Sequence, residues 1–152
     1  MRIALGADHA GVALKRDIAR LLTELEHTVE DEGTDSDAPV DYPDFAERVA
    51  HRVASGAAER GILICGTGLG MAMAANKVKG IRAAPVQDLE SARLAREHND
   101  ANVLTLGARL LDRHRALDIV RVFLETQFQG GRHERRLEKL AAIERDAGSS
   151  GE

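Results

Sequence analysis

Gly61-Ile62-Leu63-Ile64-Cys65-Gly66-Thr67-Gly68-Leu69-Gly70 is the stretch on which the reading of this chain turns. Its first half is a short apolar, β-branched run that reads as a buried strand. Three alternating glycines follow, and then a small-residue helix over Met71 to Asn76. The same alternation of strand and helix extends in both directions. Upstream, Arg2 to Ala7 reads as a strand that ends in a Gly/Asp/His loop. Leu14, Ile18, Leu21, Leu22 and Leu25 then form one apolar stripe at helical spacing. Thr28 to Asp31 is a weak second strand, followed by a polar loop from Gly33 to Asp41. Phe45, Val49 and Val53 recur every fourth residue behind the start signals Asp41 and Pro43. Downstream, Ile81 to Val86 predicts a fourth strand, Leu89 to Glu97 a helix and Val103 to Leu106 a fifth strand. Ile119, Val120, Phe123 and Leu124 mark the helix after that, and a last helix spans about Glu134 to Arg145. Residues 148–152 read as a disordered tail behind a single domain of residues 1–147.

Five strands separated by helices predict a Rossmann-like three-layer α/β/α sandwich around a five-stranded parallel sheet, with an added C-terminal helix. In such sheets small ligands bind at the carboxyl ends of the strands, near a switch point. Two loops therefore qualify as a site before any chemistry is considered. They are Asp8-His9-Ala10-Gly11 after the first strand and Cys65 to Gly70 after the third.

Composition narrows the function. The 152 residues carry 21 Lys+Arg against 25 Asp+Glu, a formal charge of −4, which lacks the basic excess of a dedicated nucleic-acid binder. No apolar run is long enough to span a membrane, and Met1-Arg2-Ile3 leads directly into a strand with no apolar leader. The single cysteine has no internal partner, which fits a reducing cytoplasm. Aromatic residues make up only 3%.

Gly66, Gly68 and Gly70 sit between a strand and a helix, where converging amides can hold a phosphate, a carboxylate or a transient oxyanion. A plain tight turn would use the same glycines. A dinucleotide fingerprint is the sharper rival, because Asp88 lies 22 residues after Gly66 at the end of the next strand. The spacing is G-x-G-x-G, however, rather than G-x-G-x-x-G. Cys65 favours an oxyanion site, since a cysteine just before a helix N-terminus has a physical reason to ionise. Arg132 and Arg136, four residues apart at the start of the last helix, oppose its dipole and invite an anion. His98-Asn99-Asp100 ends a helix, with Asn99 as the natural terminator. The scattered histidines, including His27, His51 and His114, show no metal-ligand spacing.

Taken together, these segments resemble the ribose-5-phosphate isomerase B family, which also includes allose- and galactose-6-phosphate isomerases. The resemblance rests on Gly6-Ala7-Asp8-His9-Ala10-Gly11, Asp41-Tyr42-Pro43, the Gly61 to Gly68 run, Ala74-Ala75-Asn76-Lys77, Gly80-Ile81-Arg82-Ala83, His98-Asn99-Asp100 and Gly130-Gly131-Arg132-His133. It implies a cofactor-free aldose–ketose isomerase of ribose 5-phosphate and ribulose 5-phosphate, in the pentose phosphate pathway, working through a cis-enediolate. It also implies a homodimer or homotetramer with sites between subunits. Cys65 resembles the base, Thr67 the residue assisting proton movement and His98 the ring opener. Asp8 and Asn99 resemble the residues holding sugar hydroxyls, and the amides of Gly66, Gly68 and Gly70 the oxyanion cradle. His9, Arg109, Arg132 and Arg136 resemble the phosphate ligands, and Tyr42 lines the pocket. One departure is Ala72, where some relatives carry Ser, so one hydroxyl donor is missing. A different sugar phosphate, or a phosphate-binding domain without catalysis, is the alternative. Independently of the family, Cys65 ends a strand at the carboxyl edge while His98 precedes the next strand at the opposite edge. His98 and Asn99 are therefore expected to serve the Cys65 of a neighbouring subunit.

Overall fold

The central strand is β3 (Arg60–Cys65), flanked by β1 (Arg2–Ala7) and β5 (Val103–Gly107) in a computed structural model that describes residues 1–150. β2 (Thr28–Asp31) and β4 (Ala83–Pro85) form the edges, giving the order β2-β1-β3-β5-β4 with every pair parallel. The inner strands are buried on both faces, as their unbroken apolar runs require.

The helices are α1 (Val12–Glu24), α2 (Tyr42–Ala54), α3 (Leu69–Ala75), α4 (Leu89–Glu97), α5 (Arg113–Glu125) and α6 (Arg132–Ser150). One face of the sheet packs α1, α4 and α5 through Ile18, Leu22, Ala92, Ile119 and Phe123. The other face packs α2 and α3 through Phe45, Val49, Met71 and Ala75. Connections stepping toward β2 or back from β4 cross the first face, and those stepping toward β4 cross the second. This assignment keeps every crossover of the same hand. The chain leaves β1 and β3 in opposite directions along the sheet, so the switch point lies between their carboxyl ends.

Several boundaries differ from the sequence expectation. The fourth strand begins at Ala83, because the Ile81 amide donates to Val78 O in a turn and the Arg82 amide to the Asn102 side chain. α3 starts at Leu69, as soon as left-handed Gly68 (φ 80°) has broken the strand. α6 runs from Arg132 to Ser150, so the domain end expected at 147 falls inside a helix. Alanines and charged helix formers carry it past Gly148, whose cost of about 1 kcal/mol does not stop it. Gly151 and Glu152 of the expected tail lie outside the described residues. No helix among the described residues is long and apolar enough to cross a membrane.

Lys15 breaks the apolar stripe of α1 and is nonetheless buried. Its Nζ donates to Asp31 at 2.6 Å and to Asp35 at 2.9 Å, tying α1 to the end of β2 and to the loop that follows. The lysine is only 2% exposed at its side chain, whereas Asp31 is 41% and Asp35 83% exposed. Removing the lysine thus leaves solvated acids, while neutralising Asp31 leaves the buried ammonium with only the exposed Asp35 carboxylate as counter-charge. Asp31→Asn is expected to cost on the order of 3 kcal/mol and Lys15→Met less than half of that. Urea unfolding of the two variants checks this, and equal losses would contradict it.

Candidate active site

Asp8 and His9 leave β1 at the switch point. Asp8 is buried, and its Oδ1 accepts the Ala10 amide at 3.0 Å, so it does cap the short helical turn His9–Gly11. Among the described residues its second oxygen has no partner. His9 Nδ1 accepts the Val40 amide at 3.2 Å, which fixes the proton of the neutral ring on Nε2. That contact also holds the end of the polar loop just before α2. Asp41 occupies the N-cap position of α2 without a side-chain capping bond, leaving its carboxylate exposed in front of Tyr42.

Cys65, buried at the end of β3, accepts the Gly68 amide on Sγ at 3.1 Å. Gly68 is pinned again through its carbonyl, which accepts the buried Thr105 hydroxyl at 2.7 Å and the Ala72 amide at 3.1 Å. A side chain could not be accommodated there, since a Cβ would sit 3.0–3.2 Å from the backbone of Leu106. Thr67 is exposed at the loop's crest, and its Oγ1 accepts the Leu69 amide at 3.2 Å. Two further side chains roof the loop. The Arg109 guanidinium lies where a Cβ on Gly66 would meet it at 3.2 Å, and the Tyr42 ring lies 2.6 Å from the corresponding point on Gly70. Gly68 is therefore required both by its left-handed φ and by the backbone beside it, whereas Gly66 and Gly70 make room for the Arg109 and Tyr42 side chains. Ala72 is buried behind the loop.

Asp8, His9, Tyr42, Cys65, Gly66, Thr67, Gly68, Gly70 and Arg109 thus gather at the carboxyl edge of the sheet. His98, Asn99, Arg132 and Arg136 do not join them. His98 caps α4 and stacks on His133 of α6, with ring centroids 4.2 Å apart and planes 18° from parallel. This group precedes Val103 at the amino edge, and the length of β5 separates the two edges by about 13 Å. Arg109, Arg132 and Arg136 are all exposed, and none forms an ion pair among the described residues. Three unpaired guanidiniums fit an anionic ligand.

Two sequence readings change. The residue that ends α4 in a left-handed conformation is Asp100 (φ 44°), not Asn99, which is exposed and lines a cavity instead. Asp88, the rival ribose-binding acid, is the N-cap of α4 and spends its Oδ1 on the Ser91 amide at 2.7 Å. His133 was not singled out by the sequence. Its Gly-Gly-Arg-His context enters the sequence reading as part of the family resemblance and as a basic helix start, with no role for the imidazole. Among the described residues, no three His, Cys, Asp or Glu side chains gather as a metal would need.

A cysteine under a backbone amide at the carboxyl edge, roofed by an arginine and a tyrosine, defines a doubly wound α/β enzyme with a glycine-loop site. A family model described as Ribose/Galactose Isomerase matches residues 3–140, and the chain belongs to that family. It is 48% identical over 143 residues to ribose-5-phosphate isomerase B of Escherichia coli, covering 94% of this chain and 96% of that one. Among solved structures, ribose-5-phosphate isomerase B of Clostridium thermocellum superimposes with a TM-score of 0.96 at 52% identity, covering 97% and 99% of the two chains. The Mycoplasma genitalium enzyme with bound ribulose-5-phosphate gives 0.92 at 45% identity, covering 95% and 96%.

Burial first, and then the neighbouring His98, Arg132 and Arg136, hold the His133 imidazole below its ordinary value of 6.5. The folded chain therefore resists a proton that the unfolded chain accepts, so His133 makes stability fall as pH drops through the unfolded value. Between about pH 7.5 and 5.5 the wild-type protein is expected to lose more thermal stability than His133→Gln. Melting temperatures at the two pH values test this, and parallel losses would contradict it.

Proposed function

We propose that the protein interconverts ribose 5-phosphate and ribulose 5-phosphate through a cis-enediolate. The observation that carries this reading is the Cys65 sulfur under the Gly68 amide, where the glycine loop leaves β3 at the carboxyl edge of the sheet. Isomerisation needs ring opening, removal of the C2 proton, stabilisation of charge on the substrate oxygens and return of a proton to C1. Cys65, as thiolate, takes the C2 proton and returns it to C1. The amides of the Gly66 to Gly70 loop stabilise the enediolate oxygens, with the Gly68 amide shared with Cys65 Sγ and the Leu69 amide with Thr67 Oγ1, preorganised donors being worth most where charge develops. Thr67 moves the proton between O1 and O2. Asp8, through its free oxygen, and Asn99 hold sugar hydroxyls, while Tyr42 walls the pocket. His9, Arg109, Arg132 and Arg136 bind the phosphate, and His98 opens the ring. The ribulose-5-phosphate held by the Mycoplasma genitalium relative supports this choice of substrate. The reaction belongs to pentose phosphate metabolism in the cytoplasm and needs no cofactor.

His98, Asn99, Arg132 and Arg136 reach Cys65 of a second copy, so the working unit is a homodimer or a tetramer of such pairs. Two features support this. The carboxyl-edge and amino-edge groups are each incomplete. α6 makes little contact with its own chain and carries Leu140 and Ile143 half or more exposed. Such an apolar helix face requires cover.

With ribose 5-phosphate and no added cofactor, ketose should accumulate, and Cys65→Ala should lower that rate by on the order of 10³-fold while circular dichroism stays native. Turnover near the wild-type rate would remove Cys65 as the base. A panel of pentose and hexose phosphates fixes the substrate size.

Mixing Cys65→Ala with His98→Asn chains should return about a quarter of wild-type activity, because half of the pairs hold one complete site. Activity no higher than the sum of the parents would place both residues in one chain's site.

A further inference from the structure

The turn after α4 is held by far more charge than ending a helix demands. Asp100 takes a left-handed backbone (φ 44°), a conformation that glycine or asparagine adopts with less strain. Its amide returns to Arg96 O at 3.2 Å, closing the helix end. Its carboxylate is then gripped from two sides. Arg96 Nη1 donates to Oδ1 at 2.7 Å and Arg82 Nη2 to Oδ2 at 3.4 Å, while Arg82 Nε donates to the Asp100 carbonyl at 2.9 Å. Arg96 is buried. It also donates to Ala101 O at 2.7 Å and, through Nε, to Thr126 O at 3.1 Å beyond α5. Glu97 extends the tie, accepting the Gln129 side chain at 3.2 Å, and its carbonyl accepts the Gln129 amide at 3.1 Å. The chain from Thr126 to Gln129 leads directly into α6 and its His133. One array therefore sets the backbone beneath His98 and Asn99 and the approach of the helix whose His133 stacks on His98.

We propose that Asp100, clamped between Arg96 and Arg82, is a positioning residue for ring opening. It sets the direction of the His98 imidazole and has no part in forming the enediolate at Cys65. This rests on the reading of His98 as the ring opener. Ring opening breaks the C1–O4 bond of the furanose, moving the proton from O1 while O4 gains one. Enediolate formation removes a proton from carbon. Ribulose 5-phosphate, with its O5 phosphorylated, has no furanose to open, so exchange of its C1 hydrogen with solvent uses Cys65 and not the ring opener. The two steps can be measured separately on one protein.

Asp100→Asn keeps a residue that accepts the left-handed backbone and removes the charge that both arginines grip. The variant is expected to lose isomerisation kcat about 10- to 100-fold with KM little changed, the scale of a misplaced reacting group. Its rate of deuterium incorporation at C1 of ribulose 5-phosphate in heavy water should stay within about twofold of wild type. Arg82→Gln, at a half-exposed position less demanding for folding, should show the same pattern more weakly. A parallel fall of exchange and isomerisation in both variants would mean that the array is merely structural, and no fall in either would mean that it positions nothing. His98→Asn separates these failures from failure of the underlying reading. If that variant isomerises normally, or loses exchange together with isomerisation, His98 is not the ring opener and the proposal falls with it.

Discussion

Gly68 is held from three directions, and the rest of the site follows from that. Its amide reaches Cys65 Sγ, its carbonyl accepts the buried Thr105 hydroxyl, and the place a Cβ would take is closed by the backbone of Leu106. A residue with a side chain fits none of these constraints together, and the left-handed φ excludes most of them independently. Because Thr105 and Leu106 belong to β5, the loop after β3 is fixed by the neighbouring strand rather than by its own turn alone. The sulfur, the glycine loop and the start of α3 are thereby registered to the sheet. Gly107 continues the arrangement, since a Cβ there would lie 2.7 Å from the Thr67 backbone. The register Cys65↔Gly107 is thus also the register of the chemistry.

The sheet imposes a second consequence. In a doubly wound fold, residues that follow strands lie at one edge and residues that precede strands lie at the other. The chain places Cys65 in the first group and His98 in the second, and no loop bridges the width between them. The stacking of His98 on His133 draws α6 to the amino edge as well, and Arg132 and Arg136 go with it. A single chain consequently presents two partial constellations. The cavity of about 910 Å³ between α6 and the β4 edge, with Asn99 on its wall and Leu140 and Ile143 along it, is shaped by that arm standing away from the body.

What the sequence made legible was what repeats locally. Apolar runs in the inner strands, helical stripes such as Leu14, Ile18, Leu21 and Leu22, and the Cys-Gly-Thr-Gly loop each declare themselves within a few residues. Strand order did not, because the exchange of β4 and β5 depends on which face each crossover packs, a property of the whole sheet. Lys15 was illegible for a related reason, its acids lying 16 and 20 residues away on another element. The end of α4 was misread at the level of one residue. Asn99 has the better propensity for a left-handed turn, yet Asp100 takes it because Arg96 and Arg82 grip its carboxylate. The division of Cys65 and His98 between opposite edges followed already from the order of strands and helices in the sequence, whereas the stacking of His133 on His98 needed the fold itself.

Cys65 is the chain's one thiol, and it lies buried under an amide. Any thiol-directed reagent, or any oxidant that reaches it, therefore acts at one address, and the stoichiometry of modification counts sites without correction for bystanders. The same economy carries a hazard, because a sulfenic acid formed at Cys65 has no second thiol in the chain with which to condense to a disulfide, and the next oxidation, to sulfinic acid, is one that thiols do not reverse.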